Sequence, residues 1–306
     1  MRRLAVALGC AVLVALSGSV PVSATEAGHR PGAFPTLWPN LVAHYDFEHP
    51  AGAGAERDRG RSGTDLQLVN GAPRVRDGFG HALQTRQVSA VAGNDDWKAG
   101  VYSSAGVPSL RAFNAARAAT VMGWFKVTGE NPALNTNTAD PADRFNAVGL
   151  AGVLTGDSDG HAVRALLEVI DVGGELKVVA LGRRVDGGAS QTFAASADWR
   201  AVLPNGEWVF LAATFDFDTG RMALYRNGRP LDGFYTVTGD PWVLEGAPEP
   251  DVTTATDPRG IKIGGSFPQN TREQNPCDCR MDELMFLNRA VTPAEVWLQY
   301  RWASVG

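Results

Sequence analysis

Two stretches of the sequence place carboxylates at spacings that could bind a metal ion or cleave a glycosidic bond. In the first, Asp216 and Asp218 alternate ahead of Gly220, like the opening of a calcium-binding loop. Such a loop needs a further ligand before the glycine and a bidentate glutamate downstream, and neither is present. Aspartate and glycine are also preferred in turns. Because alternating apolar stretches flank Asp216–Gly220, we predict a turn between two strands rather than a metal loop.

The second stretch contains Glu168, Asp171 and Glu175. A retaining glycosidase needs two carboxyl groups about 5.5 Å apart. Side chains three positions apart on a strand point to opposite faces, so Glu168 and Asp171 do not form such a pair. Glu175 lies beyond the predicted turn at Gly173–Gly174. We therefore predict that these carboxylates are solvent-facing residues of a hairpin and that they are not catalytic.

Motifs of other hydrolases add no catalytic prediction. The chain has no His-Glu-x-x-His zinc motif, and the run around Ser266 fails at the last position of the Gly-x-Ser-x-Gly nucleophile motif. Its histidines are scattered, and His44 alternates with Tyr45 in a predicted strand. No residue is therefore predicted to be catalytic. A lyase site made of a tyrosine, a histidine and an arginine stays an open alternative, because such residues come together only in the folded chain.

Aromatic residues in polar stretches are the best candidates for contacting a ligand. Flat rings with a polar edge stack well on sugar rings. The stretch "GNDDWKAGVY" combines such rings with hydrogen-bonding side chains. The alternative for each aromatic residue is that it packs its own loop onto the core, which is the commoner arrangement. The predicted ligand-binding residues are Asn94, Asp96, Trp97, Tyr102 and Trp199.

The first 24 residues have the features of an export signal. Arg2 and Arg3 precede an apolar run that is too short to span a bilayer comfortably, and small residues lead up to Ala24. We predict cleavage after Ala24, a linker rich in glycine and proline over residues 25–40, and a secreted, extracellular protein. The remaining sequence contains no apolar run of the length of a membrane helix, so no membrane span is predicted.

Composition narrows the classes of partner. The net charge of −5 becomes −7 once Arg2 and Arg3 are removed, which argues against nucleic acid and anionic lipid as ligands. Neutral glycans and cations remain compatible with this charge. The preference for arginine over lysine, with abundant alanine and glycine, indicates the codon bias of a GC-rich bacterial genome.

Two cysteines, Cys277 and Cys279, remain after the predicted cleavage. Export places them in an oxidising compartment, which favours a disulfide. A bond between them would close a very small loop and would stabilise the fold by only about 1.5 kcal/mol. A local disulfide is the preferred interpretation, and an intermolecular link or free thiols are the alternatives.

Short apolar stretches separated by glycine-rich turns predict an all-β fold. Ala119–Gly129 and Glu207–Phe217 alternate most clearly between apolar and polar positions. Two-residue hairpin turns are predicted at Asn70–Gly71, Gly173–Gly174 and Asn227–Gly228.

One short helix is predicted near the C-terminus. Thr292 is its N-cap, Pro293 takes the first helical position and Glu295 completes a capping box. Because the composition does not change after Leu41, residues 41–306 are predicted to form one domain. The spacing of strands and turns favours a two-sheet antiparallel sandwich or jelly roll with a short C-terminal helix.

Seven segments, taken in order, carry a resemblance to a known family. They are "LVAHYDFEH", "DRGRSGTDLQLVNGAPRV", "GFGHALQT", "ATVMGWFKV", "GEWVFLAATFDFDTGRMALYRNGRPLDG", "IKIGGSF" and "RMDELMFLNRAVTPAEV". This set resembles the laminin-G-like jelly-roll domains of the concanavalin A-like lectin/glucanase superfamily over about residues 41–300. The resemblance implies two antiparallel sheets packed face to face, and a concave face or loop rim that binds glycans or protein partners.

The resemblance also bears on metal binding and catalysis. Some related sandwiches hold a calcium ion where the first and last strands meet, and the matching carboxylates here would be Asp46 or Glu48, together with Asp282. The alternative is that Asp282 and Glu283 form a polar pair beside Arg280 or Arg289. Related glucanases carry a Glu-x-Asp-x-x-Glu run, and this sequence does not contain it.

These observations predict a secreted, non-catalytic module that binds carbohydrate or a cell-surface glycan or protein. The module would require no cofactor, with a structural calcium ion as the one candidate. A glycan-cleaving enzyme on the same fold, either a glucanase or a lyase, is one alternative. A purely structural adhesion domain is the other.

Overall fold

The computed structural model describes residues 32–69, 71–77, 80–86, 99–103, 105–114, 116–129, 148–154, 165–183, 190–236, 257–264 and 277–304. The strands in these ranges are β1 (Leu41–Tyr45), β2 (Ala55–Glu56), β3 (Leu66–Leu68), β4 (Arg74–Asp77), β5 (Gly80–Gln84), β6 (Ala99–Tyr102), β7 (Ala118–Val127), β8 (Val148–Leu154), β9 (Ala165–Val172), β10 (Glu175–Arg183), β11 (Ser190–Ala195), β12 (Val209–Asp216), β13 (Met222–Arg226), β14 (Arg229–Pro230), β15 (Gly233–Tyr235), β16 (Gly260–Ile263) and β17 (Cys279–Leu287). The helices are α1 (Trp199–Val202) and α2 (Pro293–Ser304), with 3₁₀ helices at Pro35–Asn40 and Pro108–Phe113. Within these ranges no helix is long and apolar enough to cross a membrane.

The strands form two antiparallel sheets. The first sheet has eight strands in the order β14-β13-β12-β7-β17-β5-β4, and β1 pairs with β17. The second sheet has nine strands in the order β15-β11-β10-β9-β8-β16-β6-β3-β2. This architecture confirms the predicted all-β, two-sheet sandwich with a C-terminal helix.

The main hydrophobic core lies between the two sheets. Every second residue of a strand points inward, so β7 contributes Val121 and Phe125, and β9 contributes Leu167 and Val169. These side chains are almost completely buried. The intervening residues of each strand therefore point to the outer face of their own sheet.

The outer face of the first sheet is covered by the two ends of the described chain. Leu37 of the first 3₁₀ helix and Val296 of α2 are fully buried in a second cluster that includes Trp124 of β7. Gln299 of α2 accepts a hydrogen bond from the backbone N–H of Phe34 at 2.6 Å. Residues 32–40 of the expected linker are thus packed against the sandwich and belong to the domain.

The stretch Asp216–Gly220 is a turn between β12 and β13, as predicted. The Oδ1 atom of Asp216 accepts hydrogen bonds from the backbone N–H groups of Asp218 and Thr219, at 3.0 and 3.1 Å. This is the local capping that makes aspartate favourable in turns. The Asp216 carboxylate is therefore used to close the turn.

Two of the three predicted hairpins are confirmed. Gly173–Gly174 joins β9 to β10, and Asn227–Gly228 joins β13 to β14. Asn227 and Gly228 both have positive φ, at +50° and +77°, as a tight two-residue hairpin turn requires. The hairpin at Asn70–Gly71 is wrong, because the flanking strands β3 and β4 belong to different sheets.

The terminal helix begins as predicted. The Thr292 hydroxyl accepts a hydrogen bond from the backbone N–H of Glu295 at 3.3 Å, and the Glu295 carboxylate accepts one from the backbone N–H of Thr292 at 2.9 Å. Arg289 forms an ion pair with the same carboxylate at 2.6 Å. The hydrogen bonds from Arg289 are the main reason that the pKa of Glu295 is lowered to about 2.

Candidate functional site

The outer face of the second sheet carries two rows of residues that lie side by side across the strands. The first row contains, in register, Gly100, Lys262, Gly152, Leu166, Leu181 and Thr192. The second row contains Gly149, Glu168, Val179, Ala194 and Phe234. Most of these residues are small or apolar. Lys262 and Glu168 are the ionisable members of the two rows.

Lys262 lies between two glycines on this face. Its strand neighbours are Gly100 on β6 and Gly152 on β8, and Lys262 itself is only 1% exposed. Glycine inside a strand often marks a place where another molecule or backbone approaches closely. The Lys262 ammonium lies 5.6 Å from the centre of the Tyr102 ring, a cation–π distance.

Tyr102 is the predicted ligand-binding residue that the structure places on this face. It ends strand β6, two residues after Gly100, rather than lying in a polar loop. Its side chain is 36% exposed, which leaves ring surface for a ligand. Phe234 on β15 lies at the other side of the face and is 44% exposed. The sequence analysis did not predict Phe234 as a ligand-binding residue. In the structure its neighbour Tyr235 packs against the main core, so Phe234 points to the outer face.

Glu168 is buried in the second row, which corrects the prediction of a solvent-facing hairpin carboxylate. Only 1% of the residue is exposed, and its Oε2 atom has no hydrogen-bond partner. Burial raises the pKa of Glu168 from 4.5 to about 8, so the carboxyl group is protonated at neutral pH. A buried, protonated carboxyl group can donate a hydrogen bond or act as a general acid.

The other carboxylates of this hairpin do not form a catalytic pair with Glu168. Asp171 accepts a hydrogen bond from the backbone N–H of Gly174 at 3.1 Å and so closes the turn. Glu175 forms an ion pair with Lys177 at 2.7 Å. Across the two rows of described residues, Glu168 is the only acidic side chain.

The remaining predicted ligand residues lie elsewhere. Asn94, Asp96 and Trp97 are outside the described residues. Trp199 belongs to helix α1 and is 5% exposed, because its ring packs into the main core. The Arg200 guanidinium lies 5.0 Å from the centre of that ring. Trp199 therefore does not offer the exposed stacking surface that was expected of it.

A second group of polar residues lies after β1. The Oδ1 atom of Asp46 is 2.8 Å from Nδ1 of His49. Glu56 accepts a hydrogen bond from the backbone N–H of His49 at 2.8 Å and pairs with Arg74. The potential ligand atoms of Asp46, His49 and Glu56 all lie within 4.8 Å of one another. Two carboxylates and an imidazole can bind a divalent cation.

The predicted calcium residues Asp46, Glu48 and Asp282 act on one another electrostatically. Burial raises the pKa of Asp282 well above its usual value, and the charges of Glu283, Asp46 and Glu48 raise it further. Such crowding of negative charge is what a bound cation would relieve. The Glu48 carboxylate, however, lies 2.9 Å from Nδ1 of His81. His49 and Glu56, which the sequence analysis did not predict, form a group with Asp46 whose potential ligand atoms lie within 4.8 Å of one another.

Asp282 and Glu283 contact each other, since the backbone N–H of Glu283 donates to Oδ1 of Asp282 at 2.8 Å, but the two nearby arginines form ion pairs with other carboxylates. Arg280 forms an ion pair with Asp77 at 2.8 Å, and Arg289 pairs with Glu295. Glu283 instead lies 2.8 Å from the buried imidazole of His44. Strand β17 is therefore linked to β1 by the contact between Glu283 and His44.

Cys277 and Cys279 are joined in a disulfide immediately before and at the start of β17. Both residues are buried. The backbone N–H of Thr85 donates a hydrogen bond to the Cys279 carbonyl at 2.8 Å. The disulfide thus lies where the chain enters the first sheet.

Known structures share this fold. The binding domain of Paraclostridial Mosquitocidal Protein 1 matches with 16% identity and a TM-score of 0.51, covering 86% of this chain and 52% of that one. The receptor binding domain of botulinum neurotoxin mosaic serotype C/D matches with 11% identity and a TM-score of 0.51, covering 87% and 51%. Trypanosoma rangeli sialidase matches with 17% identity and a TM-score of 0.53, covering 86% and 32%. At these identities the likeness establishes the fold alone.

The chain spans about half the length of the two toxin domains and about a third of the sialidase. A search of curated proteins finds no relative. A laminin G family model, in contrast, matches residues 98–297 and so covers most of the chain, including β6 to β17. The protein therefore belongs to the concanavalin A-like lectin/glucanases superfamily.

Proposed function

We propose that the protein is a secreted, non-catalytic binding module that recognises carbohydrate, such as a cell-surface glycan, on the outer face of the second sheet. The observation that carries this proposal is the arrangement of Tyr102 and Lys262 beside Gly100 and Gly152. The exposed Tyr102 ring lies over the Lys262 ammonium, and Lys262 itself is only 1% exposed, beside two glycines on one sheet face.

This arrangement suits a sugar better than a fully apolar ligand. A sugar ring has an apolar face that stacks on tyrosine or phenylalanine and hydroxyl groups that need hydrogen-bond partners. Tyr102 and Phe234 supply the stacking surfaces, and they lie on strands separated by five others. At about 4.8 Å per strand spacing, they are about 29 Å apart along a flat sheet. Residues between them, such as Leu166 and Val179, are buried, so the two rings are separate points of contact for a ligand.

Two further facts support a binding role outside the cell. Two of the structural neighbours are, by their names, a binding domain and the receptor binding domain of a neurotoxin, and the fold is the same. The first 24 residues have the charge and hydrophobicity of an export signal. Sequencing the N-terminus of the exported protein tests this directly, because the proposal requires it to begin at Thr25.

A structural calcium ion near the end of β1 is part of the proposal. Asp46, Glu48 and Asp282 supply carboxylate oxygens, the ligands that calcium prefers. The set formed by Asp46, His49 and Glu56 includes an imidazole and would suit zinc better. Thermal unfolding of the chelated protein with added calcium or zinc distinguishes the two. Stabilisation by calcium that is lost in Asp282→Asn supports the first set, and stabilisation by zinc alone that is lost in His49→Ala overturns it.

The binding proposal is tested with residues 25–306 on a glycan array and in polysaccharide pull-downs, with calcium and with chelator. Binding to a glycan without release of new reducing ends supports the proposal. Absence of binding to every glycan contradicts it and favours a structural adhesion role. Loss of binding with chelator would connect the metal site to recognition.

Glycan cleavage is a second candidate function, and Glu168 is the observation that favours it. A carboxyl group that burial keeps protonated at neutral pH has the property of a general acid. Release of new reducing ends that disappears in Glu168→Gln would establish cleavage and would overturn the non-catalytic proposal. Unchanged reducing ends in both proteins would exclude it for the glycans tested.

A further inference from the structure

A cleft of about 300 Å³ lies away from the second sheet, where the first 3₁₀ helix, the loop after β2 and the second 3₁₀ helix meet. None of its lining residues belongs to the two rows described above. Its polar lining residues are Asn40, Arg61, Ser62, Ser109, Arg111 and Asn288. Two guanidinium groups and four neutral polar side chains thus face one space.

Hydrogen bonds between segments fix the walls of this cleft. The Asn40 side chain donates to the side chain of Asn288 at 3.2 Å, and Asn288 donates to the Ala112 carbonyl at 3.1 Å. The backbone N–H of Arg61 donates to the Leu41 carbonyl at 3.2 Å. The cleft is therefore built from four segments that are joined to one another, rather than from a single loop.

The two arginines have donors left for a ligand. A guanidinium has five N–H donors. The Arg61 side chain donates to the Pro39 carbonyl, which is neutral. Arg111 donates to the Pro108 carbonyl at 2.9 Å and lies 3.5 Å from the Asp257 carboxylate. With 68% of the Arg111 side chain exposed, that ion pair is weak and can be exchanged for a ligand.

The carboxylate that lies closest in sequence to this wall is already occupied. Asp58 is buried, and its Oδ2 atom accepts a hydrogen bond from the Ser62 hydroxyl at 2.6 Å. Its Oδ1 atom accepts from the backbone N–H groups of His44 and Gly60, at 2.8 and 2.6 Å. Asp58 therefore shapes the loop from behind Ser62 and does not present its oxygens to the cleft.

A hydroxyl group lies beside the guanidinium groups. The Thr64 hydroxyl donates to Oγ of Ser109 at 2.6 Å, so the Ser109 hydroxyl can donate its own proton to a ligand. Ser109 is exposed on the cleft wall. Neutral donors next to paired cations match a ligand in which hydroxyl groups surround a single anionic group.

We propose that this cleft binds one acidic sugar unit, with its carboxylate or sulfate group between Arg61 and Arg111. Guanidinium groups recognise such oxyanions through paired hydrogen bonds. The net charge of −5 disfavours an extended polyanion such as nucleic acid, whereas two arginines can neutralise one acidic group. The side chains of Asn40, Asn288 and Ser109 bind the neighbouring sugar hydroxyls.

Isothermal titration calorimetry of residues 25–306 tests this proposal with four probes: a uronic acid oligosaccharide, a sulfated oligosaccharide, a neutral oligosaccharide and inorganic sulfate. The variant Arg61→Gln/Arg111→Gln removes both cations, and Arg221→Gln removes an exposed arginine from the turn between β12 and β13 as a control. Melting temperatures establish that both variants are folded. Both variants keep the proposed site on the outer face of the second sheet. Binding of the neutral oligosaccharide therefore measures that site separately from the cleft.

We expect an acidic oligosaccharide to bind and the double variant to lose at least about tenfold in affinity, with Arg221→Gln unchanged. Raising the salt concentration should weaken this binding, because it screens the ion pairs. A uronic acid response identifies the carboxylate as the ligand group, and a sulfated one identifies the sulfate. Binding of inorganic sulfate alone, neutral-oligosaccharide binding that the double variant loses to the same extent, or equal binding of the acidic oligosaccharide by the double variant would each overturn the proposal.

Discussion

The Nε2 atom of His44 lies 2.8 Å from a carboxylate oxygen of Glu283, and both side chains are buried. This pair joins the first strand, β1, to the last strand, β17. Glu283 reaches His44 because β17 changes register between Asp282 and Met285, where Glu283 adopts a φ of +51°. The same carboxylate accepts a hydrogen bond from the backbone N–H of Gly32 at 3.0 Å. One glutamate thus connects β1, β17 and the segment that precedes the first 3₁₀ helix.

We predict that Glu283→Ala destabilises the protein by about 3 kcal/mol, because it leaves His44 buried without its partner. Urea unfolding measures this loss. In a double-mutant cycle with His44→Ala, the two losses should be coupled by more than about 1 kcal/mol. Strictly additive losses would show that the pair does not contribute as a pair.

Glu168 should make stability depend on pH. Its folded pKa of about 8 lies above the unfolded value of 4.5, so the folded protein holds a proton that the unfolded chain releases. Stability therefore falls as the pH rises from about 4.5 to about 8, by as much as about 4 to 5 kcal/mol as an order of magnitude. Urea midpoints measured across this window test the prediction.

The variant Glu168→Gln is neutral at every pH and should remove most of this dependence. Glu175→Gln, on the same hairpin, is the matched control, because Glu175 is exposed and pairs with Lys177. It should leave the slope of stability against pH nearly unchanged. If both variants keep the slope of the original protein, then the dependence does not come from Glu168.

Local signals in the sequence were enough for much of the fold. The turn at Asp216–Gly220, the hairpin at Asn227–Gly228 and the capping box at Thr292 depend on contacts within a few residues. Asn70–Gly71 has the same local signal, but the strands around it cross from one sheet to the other. Which sheet a strand joins depends on partners far away in sequence, such as the pairing of β5 with β17.

The candidate site was less predictable for the same reason. Tyr102 was found from its residue type, because an aromatic ring in a polar stretch is a direct signal. The two glycines beside Lys262 are more than 100 positions away in the sequence. Glu168 is buried between Gly149 and Val179, which belong to the two neighbouring strands. Trp199 shows the converse, since its polar surroundings in the sequence conceal a ring that packs into the core.

The helix α2 should depend on Glu295. This residue accepts hydrogen bonds from the N–H of Thr292 and from Arg289, and these keep its pKa at about 2. We predict that Glu295→Ala destabilises the protein by about 1 kcal/mol, through loss of the cap. Because the folded pKa is lowered, the contribution of Glu295 is present above about pH 4.5 and is lost as the pH falls towards 2. Thermal unfolding at neutral and acidic pH checks both statements, and an equal loss at the two pH values would contradict them.

The exposed aromatic residues of the second sheet should carry glycan affinity. Tyr102→Ala and Phe234→Ala each remove a ring from the outer face, and stacking of a sugar on such a ring contributes about 1 kcal/mol, so each variant should bind about five- to tenfold more weakly. Trp297→Ala is the matched control, because Trp297 is 46% exposed but belongs to α2, which covers the opposite sheet. Titration of the glycan identified on the array compares the three. Weaker binding in Tyr102→Ala alone would shorten the proposed binding surface to the part near Lys262, whereas weaker binding only in Trp297→Ala would move the site to the helix and exclude the second sheet.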